Sequence, residues 1–166
     1  GFGTRLRSSV KDVPKAMAPV FGKPFLEHLL VMLKQKGISR FVFCIGYLGN
    51  IIEDHFKDGK KWGVSIQYSR ETFPLKSGGA LKNAEHLLDD VFFLINGDVC
   101  RVVDYKELFE YHQKSNALIT ISVKKIDGAH ACSKLILEKG HVTAFESGHS
   151  DYSDAGVFVV NKKLLC

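Results

Sequence analysis

Two hydrophobic periods alternate along this chain, and that alternation restricts the fold more than any other feature. Residues 24–36 carry Phe25, Leu29, Leu30, Met32 and Leu33 at helical spacing, with Gly37 as the stop. Residues 40–45 are a continuous apolar run of strand length. Helical spacing returns over 48–56, a short strand follows at 64–68, and a helix entered through glycines is expected over 77–88. Residues 91–95 form a second fully apolar strand, ending at Asn96-Gly97-Asp98. A helix over 104–114, with Asp104 as its N-cap, leads to a strand at 118–123. Strands alternating with helices predict an α/β fold, with a mostly parallel mixed sheet flanked by helices. Beyond residue 130 the pattern changes to a β-hairpin, 134–138 and 141–145 around a Lys139-Gly140 turn. One more strand is expected at 157–160, and Asn161 to Leu165 reads as the start of a helix.

Composition narrows the function classes. At 166 residues the chain is expected to be a single domain with a real core. No apolar run reaches the length of about 18 residues that spans a bilayer, and no signal-peptide pattern is visible. The formal charge of +5 comes without a dense Lys/Arg block. Small anionic ligands are therefore expected rather than nucleic acid or a membrane. Cys44, Cys100, Cys132 and Cys166 form no C-x-x-C pair. They are expected to be free thiols in a reducing cytoplasm, with Cys44 buried in its strand.

Several segments could carry chemistry. The chain opens on Gly1-Phe2-Gly3-Thr4-Arg5-Leu6-Arg7, with Pro14-Lys15 shortly after. Glycines let backbone N–H groups approach an anion, and Arg and Lys add fixed positive charge. A polyphosphate site is the natural reading, although no strand precedes the loop, so both ends of the chain look cut. Asp98 follows an apolar strand, at the sheet edge where α/β folds bind ligands. One carboxylate there suits Mg²⁺ shared with phosphate oxygens, while Asn-Gly-Asp is equally a turn sequence. Gly78-Gly79 offers close backbone approach at a helix start, although taken alone it reads more readily as a plain helix entry. Glu146 and the segment Asp154-Ala155-Gly156 stand where strand edges could meet sugar hydroxyls, although a lone Glu is more often just solvated. The histidines are scattered, with none placed beside a Ser or Cys as a nucleophile pair.

In order and spacing these motifs resemble the sugar-1-phosphate nucleotidyltransferases. The segment Lys11 to Val20 followed by Gly22-Lys23-Pro24-Phe25-Leu26-Glu27 is most similar to the heptose-1-phosphate and mannose-1-phosphate guanylyltransferase branch. Gly46-Tyr47-Leu48, Glu71, Gly78 to Leu81, Asn96 to Asp98 and Ala155-Gly156 follow in the family's order. The resemblance implies a Rossmann-like nucleotidyltransferase fold, a triphosphate-binding part over 1–100 and a sugar-binding part over 101–166. It implies in-line attack of a sugar 1-phosphate on the α-phosphorus of a nucleoside triphosphate, GTP by branch, with release of pyrophosphate. Gly1, Gly3 and Thr4 would then hold the triphosphate, and Arg5 and Lys15 would neutralise it. Asp98 would bind Mg²⁺, Glu71, Gly78 and Gly79 would lie near base and ribose, and Glu146, Asp154 and Gly156 would serve the sugar.

The departures from the family pattern point the other way. Lys76 stands where a bare Gly is usual, Ser147 replaces a phosphate-binding Lys, and Asp154 replaces Asn. A Gly usual near Ser133 is absent, and the family's second metal-binding Asp lies past Cys166. The alternative is a catalytically impaired regulatory domain of the same fold that still binds nucleotide or sugar phosphate. A homo-oligomer stays open.

Overall fold

The computed structural model describes residues 13–125, 134–146 and 152–165. They divide into two compact units, one through Asp90 together with Leu165, the other from Val91 to Leu164.

In the first unit Lys15–Met17 is a 3-10 turn entered from Pro14. Strands β1 (Pro19–Val20) and β2 (Lys23–Pro24) then pair antiparallel. Helix α1 (Phe25–Gln35) buries Leu26, Leu29, Leu30 and Leu33, one face at spacings of three and four. It ends in a Schellman motif: Ile38 N–H donates to the Leu33 carbonyl at 3.2 Å and Gly37 N–H to Lys34 at 2.9 Å.

Strand β3 (Arg40–Ile45), helix α2 (Gly49–Phe56) and strand β4 (Ser65–Arg70) form a βαβ unit. β3 and β4 run parallel, from Arg40 opposite Ser65 to Ile45 opposite Arg70. Phe56, buried, packs its ring 5.5 Å from Phe43 and 5.0 Å from Trp62, so Trp62 is a packing residue. Cys44, expected to be buried, is exposed while its neighbour Ile45 is buried. An apolar run sets a strand's length but does not bury every position of it. Helix α3 (Lys76–Asn83) is shorter than the glycine-entered pattern predicts, giving way to a 3-10 turn at Glu85–Leu87.

The second unit is a five-stranded antiparallel sheet. Its strands are β5 (Val91–Ile95), β6 (Ile119–Lys125), β7 (Lys134–Glu138), β8 (His141–Glu146) and β9 (Tyr152–Asn161). β9 pairs with β5, β6 and β7, and Val157, Val159 and Val160 are fully buried. Helix α4 (Tyr105–Ser115) has the expected cap: the Asp104 carboxylate accepts from Glu107 N–H at 3.0 Å. The hairpin β7–β8 turns through Lys139 and Gly140, both at positive φ, as a two-residue primed turn requires.

The α/β class, the mixed pairing and the hairpin are as read from the sequence. The balance of strand direction differs. Among the described residues the one parallel ladder is β3–β4, and the other ladders are antiparallel. Apolar runs such as Val91–Ile95 mark a strand without marking which way its partner runs. The expected helix after residue 160 is replaced by the end of β9 and a 3-10 turn at Lys162–Leu165.

His112 on α4 is buried, its Nδ1 2.8 Å from Thr120 Oγ1 on β6. Burial pushes the imidazole below its ordinary pKa of 6.5, so the fold holds it neutral. The unfolded chain protonates first as pH falls. The stability carried by neutral His112 is therefore complete above about pH 6.5 and drains below it. The urea midpoint should drop between about pH 7.5 and 5.5, and His112→Gln should flatten that slope.

Candidate functional site

Gly1, Gly3, Thr4 and Arg5 lie outside the described residues, as does Ser147. The remaining expected residues fall in both units, and each unit's group is built separately.

In the first unit the parallel ladder carries the argument. Beyond Ile45 and Arg70 it continues by one bond, with Glu71 N–H donating to the Ile45 carbonyl at 2.9 Å. The loops leaving β3 and β4 are therefore adjacent at the carboxyl ends of their strands, where such sheets bind ligands. Glu71 ties them together. Its Oε2 accepts from Leu75 N–H at 3.2 Å, just before α3. Its Oε1 lies 2.6 Å from where a Cβ on Gly46 would stand. Gly46 thus lets the Glu71 side chain approach closely, a role the sequence signals only as a glycine between a strand and a helix.

The two glycines of α3 differ. A Cβ on Gly79 would stand 2.9 Å from Leu75 Cβ, whereas one on Gly78 would meet nothing within 4 Å. Packing within the protein therefore requires Gly79 and not Gly78. Lys76 adopts φ +60, the left-handed region, and is exposed at the start of α3. The family's glycine at this position would bear that backbone without strain. Lys15 is exposed in its turn, which Met17 N–H closes onto the Pro14 carbonyl at 2.7 Å.

In the second unit Asp98 is exposed in a turn just after β5. The turn closes with Val99 N–H donating to Asn96 at 3.0 Å, so it is both the turn and the candidate site. β9 fixes it from behind. Opposite β6 the register jumps, with Ile121 facing Phe158 but Val123 facing Asp154, so β9 bulges across residues 155–157. Gly156 takes up the bulge at φ +77 and its carbonyl accepts from Asn96 N–H at 3.1 Å. A Cβ there would stand 3.2 Å from both Asn96 Nδ2 and Val99 Cγ1. Asp154 Oδ1 accepts from Gly156 N–H at 3.1 Å, bracing the bulge from its own side chain. The structure thus brings Asp98, Asp154 and Gly156 into one local assembly. Glu146 ends β8.

Among the described residues no three His, Cys, Asp or Glu side chains gather as a resident metal site. A single exposed carboxylate is nevertheless the donor set that suits a hard cation arriving with phosphate oxygens and water.

Two outcomes are expected. Gly46→Ala pushes the Glu71 side chain away from Leu75 N–H and should cost about 0.5–1.5 kcal/mol by urea denaturation, the net worth of one hydrogen bond. Lys76→Gly removes the left-handed strain at the cost of a looser unfolded chain. A net gain of about 0.5–1 kcal/mol, or roughly 2–4 °C in Tm, is expected by calorimetry.

The signature of the Nucleotidyl transferase family matches residues 1–132. The chain is 37% identical, over 99% of its length, to the D-glycero-alpha-D-manno-heptose 1-phosphate guanylyltransferase of Aneurinibacillus thermoaerophilus, spanning 73% of that protein. It is 32% identical to the mannose-1-phosphate guanylyltransferase of Mycobacterium tuberculosis over 99% of its length, spanning 48% of that relative. Its fold superposes on HddC from Yersinia pseudotuberculosis, solved in complex with GMP-PN. The TM-score is 0.84 at 30% identity, covering 99% of this chain and 75% of that one. The resemblance drawn from the motifs is borne out, and the chain belongs to the Nucleotidyl transferase family.

Proposed function

We propose that this chain is the nucleotidyl-transferring part of a guanylyltransferase that joins GTP to a heptose- or mannose-type sugar 1-phosphate. The observation that carries this reading is the likeness to the heptose-1-phosphate guanylyltransferase along 99% of the chain. The exposed Asp98 turn, backed by Gly156 at the end of β5, supports it as a place for the reacting phosphates. Residues 1–100 would serve the triphosphate and 101–166 the sugar, in a cytoplasmic protein.

A phosphate oxygen of the sugar 1-phosphate attacks the α-phosphorus of GTP. A new P–O bond forms as the bond to the bridging oxygen breaks, and that electron pair leaves with pyrophosphate. Little covalent chemistry is asked of the protein, so positioning and charge carry the rate. Arg5 would neutralise the leaving pyrophosphate, and Lys15 would hold phosphate oxygens as charge builds. The backbone at Gly1, Gly3 and Thr4 would cradle the triphosphate. Glu71, Gly78 and Gly79 would border base and ribose, the open space over Gly78 leaving room for a ligand atom. Asp98 would hold Mg²⁺, an ion that withdraws charge from phosphate oxygens when bound. Glu146, Asp154 and Gly156 would face the sugar.

A second reading, a binding domain without turnover, is favoured by Lys76 held at φ +60 and by Ser147 and Asp154 in place of the family's residues. Pyrophosphate release separates the two. The protein is mixed with Mg²⁺, each of the four nucleoside triphosphates and heptose-, mannose- or glucose-1-phosphate. Release requiring GTP and one sugar phosphate is expected, with kcat falling about a hundredfold or more in Asp98→Ala. No release, with calorimetric binding of GTP retained, would make the binding domain the better account.

A further inference from the structure

Lys76 stands where the loop leaving β4 enters α3, one residue past the Leu75 N–H that Glu71 holds. Leu75 is pinned by that bond on one side and lies against Gly79 on the other, where a Cβ would stand 2.9 Å from Leu75 Cβ. Residue 76 has to join the two, and it does so at φ +60. Glycine adopts that conformation freely, whereas a residue with a Cβ is strained in it. Strain that a single substitution would relieve points to a use for the side chain.

The described residues give that side chain no use within the protein. It is exposed, and the ion pairs of its unit fall to Lys23, Arg40, Lys60, Arg70 and Lys82. Among the described residues no acid pairs with Lys76. Two residues on, the backbone is open: a Cβ on Gly78 would meet nothing within 4 Å. An uncommitted cation and open backbone thus share one loop, at the carboxyl ends of parallel strands where such sheets bind ligands.

The chemistry of the ammonium selects its partner. In the guanylyltransferase reading, on which this inference rests, Glu71, Gly78 and Gly79 border base and ribose. The cation beside them therefore meets the base rather than the reacting phosphates. Guanine presents two acceptors side by side, O6 and N7, whereas adenine sets an amino donor beside its N7. An ammonium has three N–H donors on a flexible stem and no acceptor, so it suits the first edge and opposes the second. We infer that Lys76 is a specificity-determining residue for the nucleotide: its ammonium donates to the O6 and N7 edge of guanine and disfavours adenine. Backbone stability at residue 76 is given up for that discrimination.

The test measures binding of GTP, ITP and ATP with Mg²⁺ by calorimetry, to the whole protein and to its Lys76→Met and Lys76→Gly variants. Methionine removes the charge and keeps a side chain of similar length, so it isolates the ammonium. Glycine removes the strain as well. ITP has O6 and N7 but lacks the 2-amino group of guanine. The parent should bind GTP and ITP more tightly than ATP. In both variants GTP and ITP should weaken about tenfold while ATP does not weaken. Lys76→Gly should lose the preference while melting above the parent, which separates the use of the side chain from the cost of its backbone. Equal weakening of all three nucleotides, the result of a phosphate contact, overturns the proposal. So does a preference for GTP that survives in Lys76→Met. Failure of the guanylyltransferase reading looks different. A parent that binds nucleotide but releases no pyrophosphate ends that reading, and a lysine-dependent preference for GTP still supports Lys76. A parent that binds none of the three overturns both.

Discussion

The bulge in β9 is the constraint on which the second unit's site depends. β9 pairs regularly with β5 from Val157 to Asn161, whereas its ladder with β6 shifts register between Ile121 and Val123. The extra residues of the bulge have to be taken up while the valines at 157, 159 and 160 stay fully buried. Gly156 takes them up at φ +77, and because it has no Cβ the Asn96–Val99 turn can lie against it. One backbone irregularity thus sets both the exit of β5 and the place where Asp98 stands.

The first unit solves a related problem with a side chain. Two parallel strands end together, and their following loops would be held by little beyond one further ladder bond. The Glu71 carboxylate supplies the link, taking Leu75 N–H with one oxygen and lying against Gly46 with the other. This structural duty leaves its proposed ligand role intact, because an ionised carboxylate has about four acceptor positions and the Leu75 bond uses one. The loop brace and the nucleotide contact would draw on different lone pairs of the same group.

Much of this fold was legible in the chain. The apolar runs at Arg40–Ile45 and Val91–Ile95 gave their strands to the residue, and Asp104 announced its helix. Those signals are local: side-chain period, turn chemistry and capping. What stayed hidden was relational. Strand direction does not appear in a run of apolar residues, so the antiparallel weight of the second unit was missed. The exposure of Cys44 and the shortening of α3 depend on neighbours far away in sequence. Within the candidate site, Asp98 and Gly156 are named by the family resemblance, and the structure places Gly156 against the turn that carries Asp98. The Gly46–Glu71 approach is a three-dimensional fact, with only a strand-end glycine to mark it.

The departures from the family pattern are unequal once their surroundings are known. Asp154 uses one oxygen to accept from Gly156 N–H, and an asparagine carbonyl oxygen could make the same bond. The bulge is therefore served by either residue, and what the carboxylate adds is charge alone. Lys76 is a different case, because its cost lies in the backbone. A non-glycine residue held at φ +60 is strained whatever occupies the site. Selection for stability alone would favour glycine there. The lysine side chain is then either tolerated at the exposed start of α3 or a cation of value to what binds. The second account is the economical one for a chain whose proposed ligand carries four negative charges.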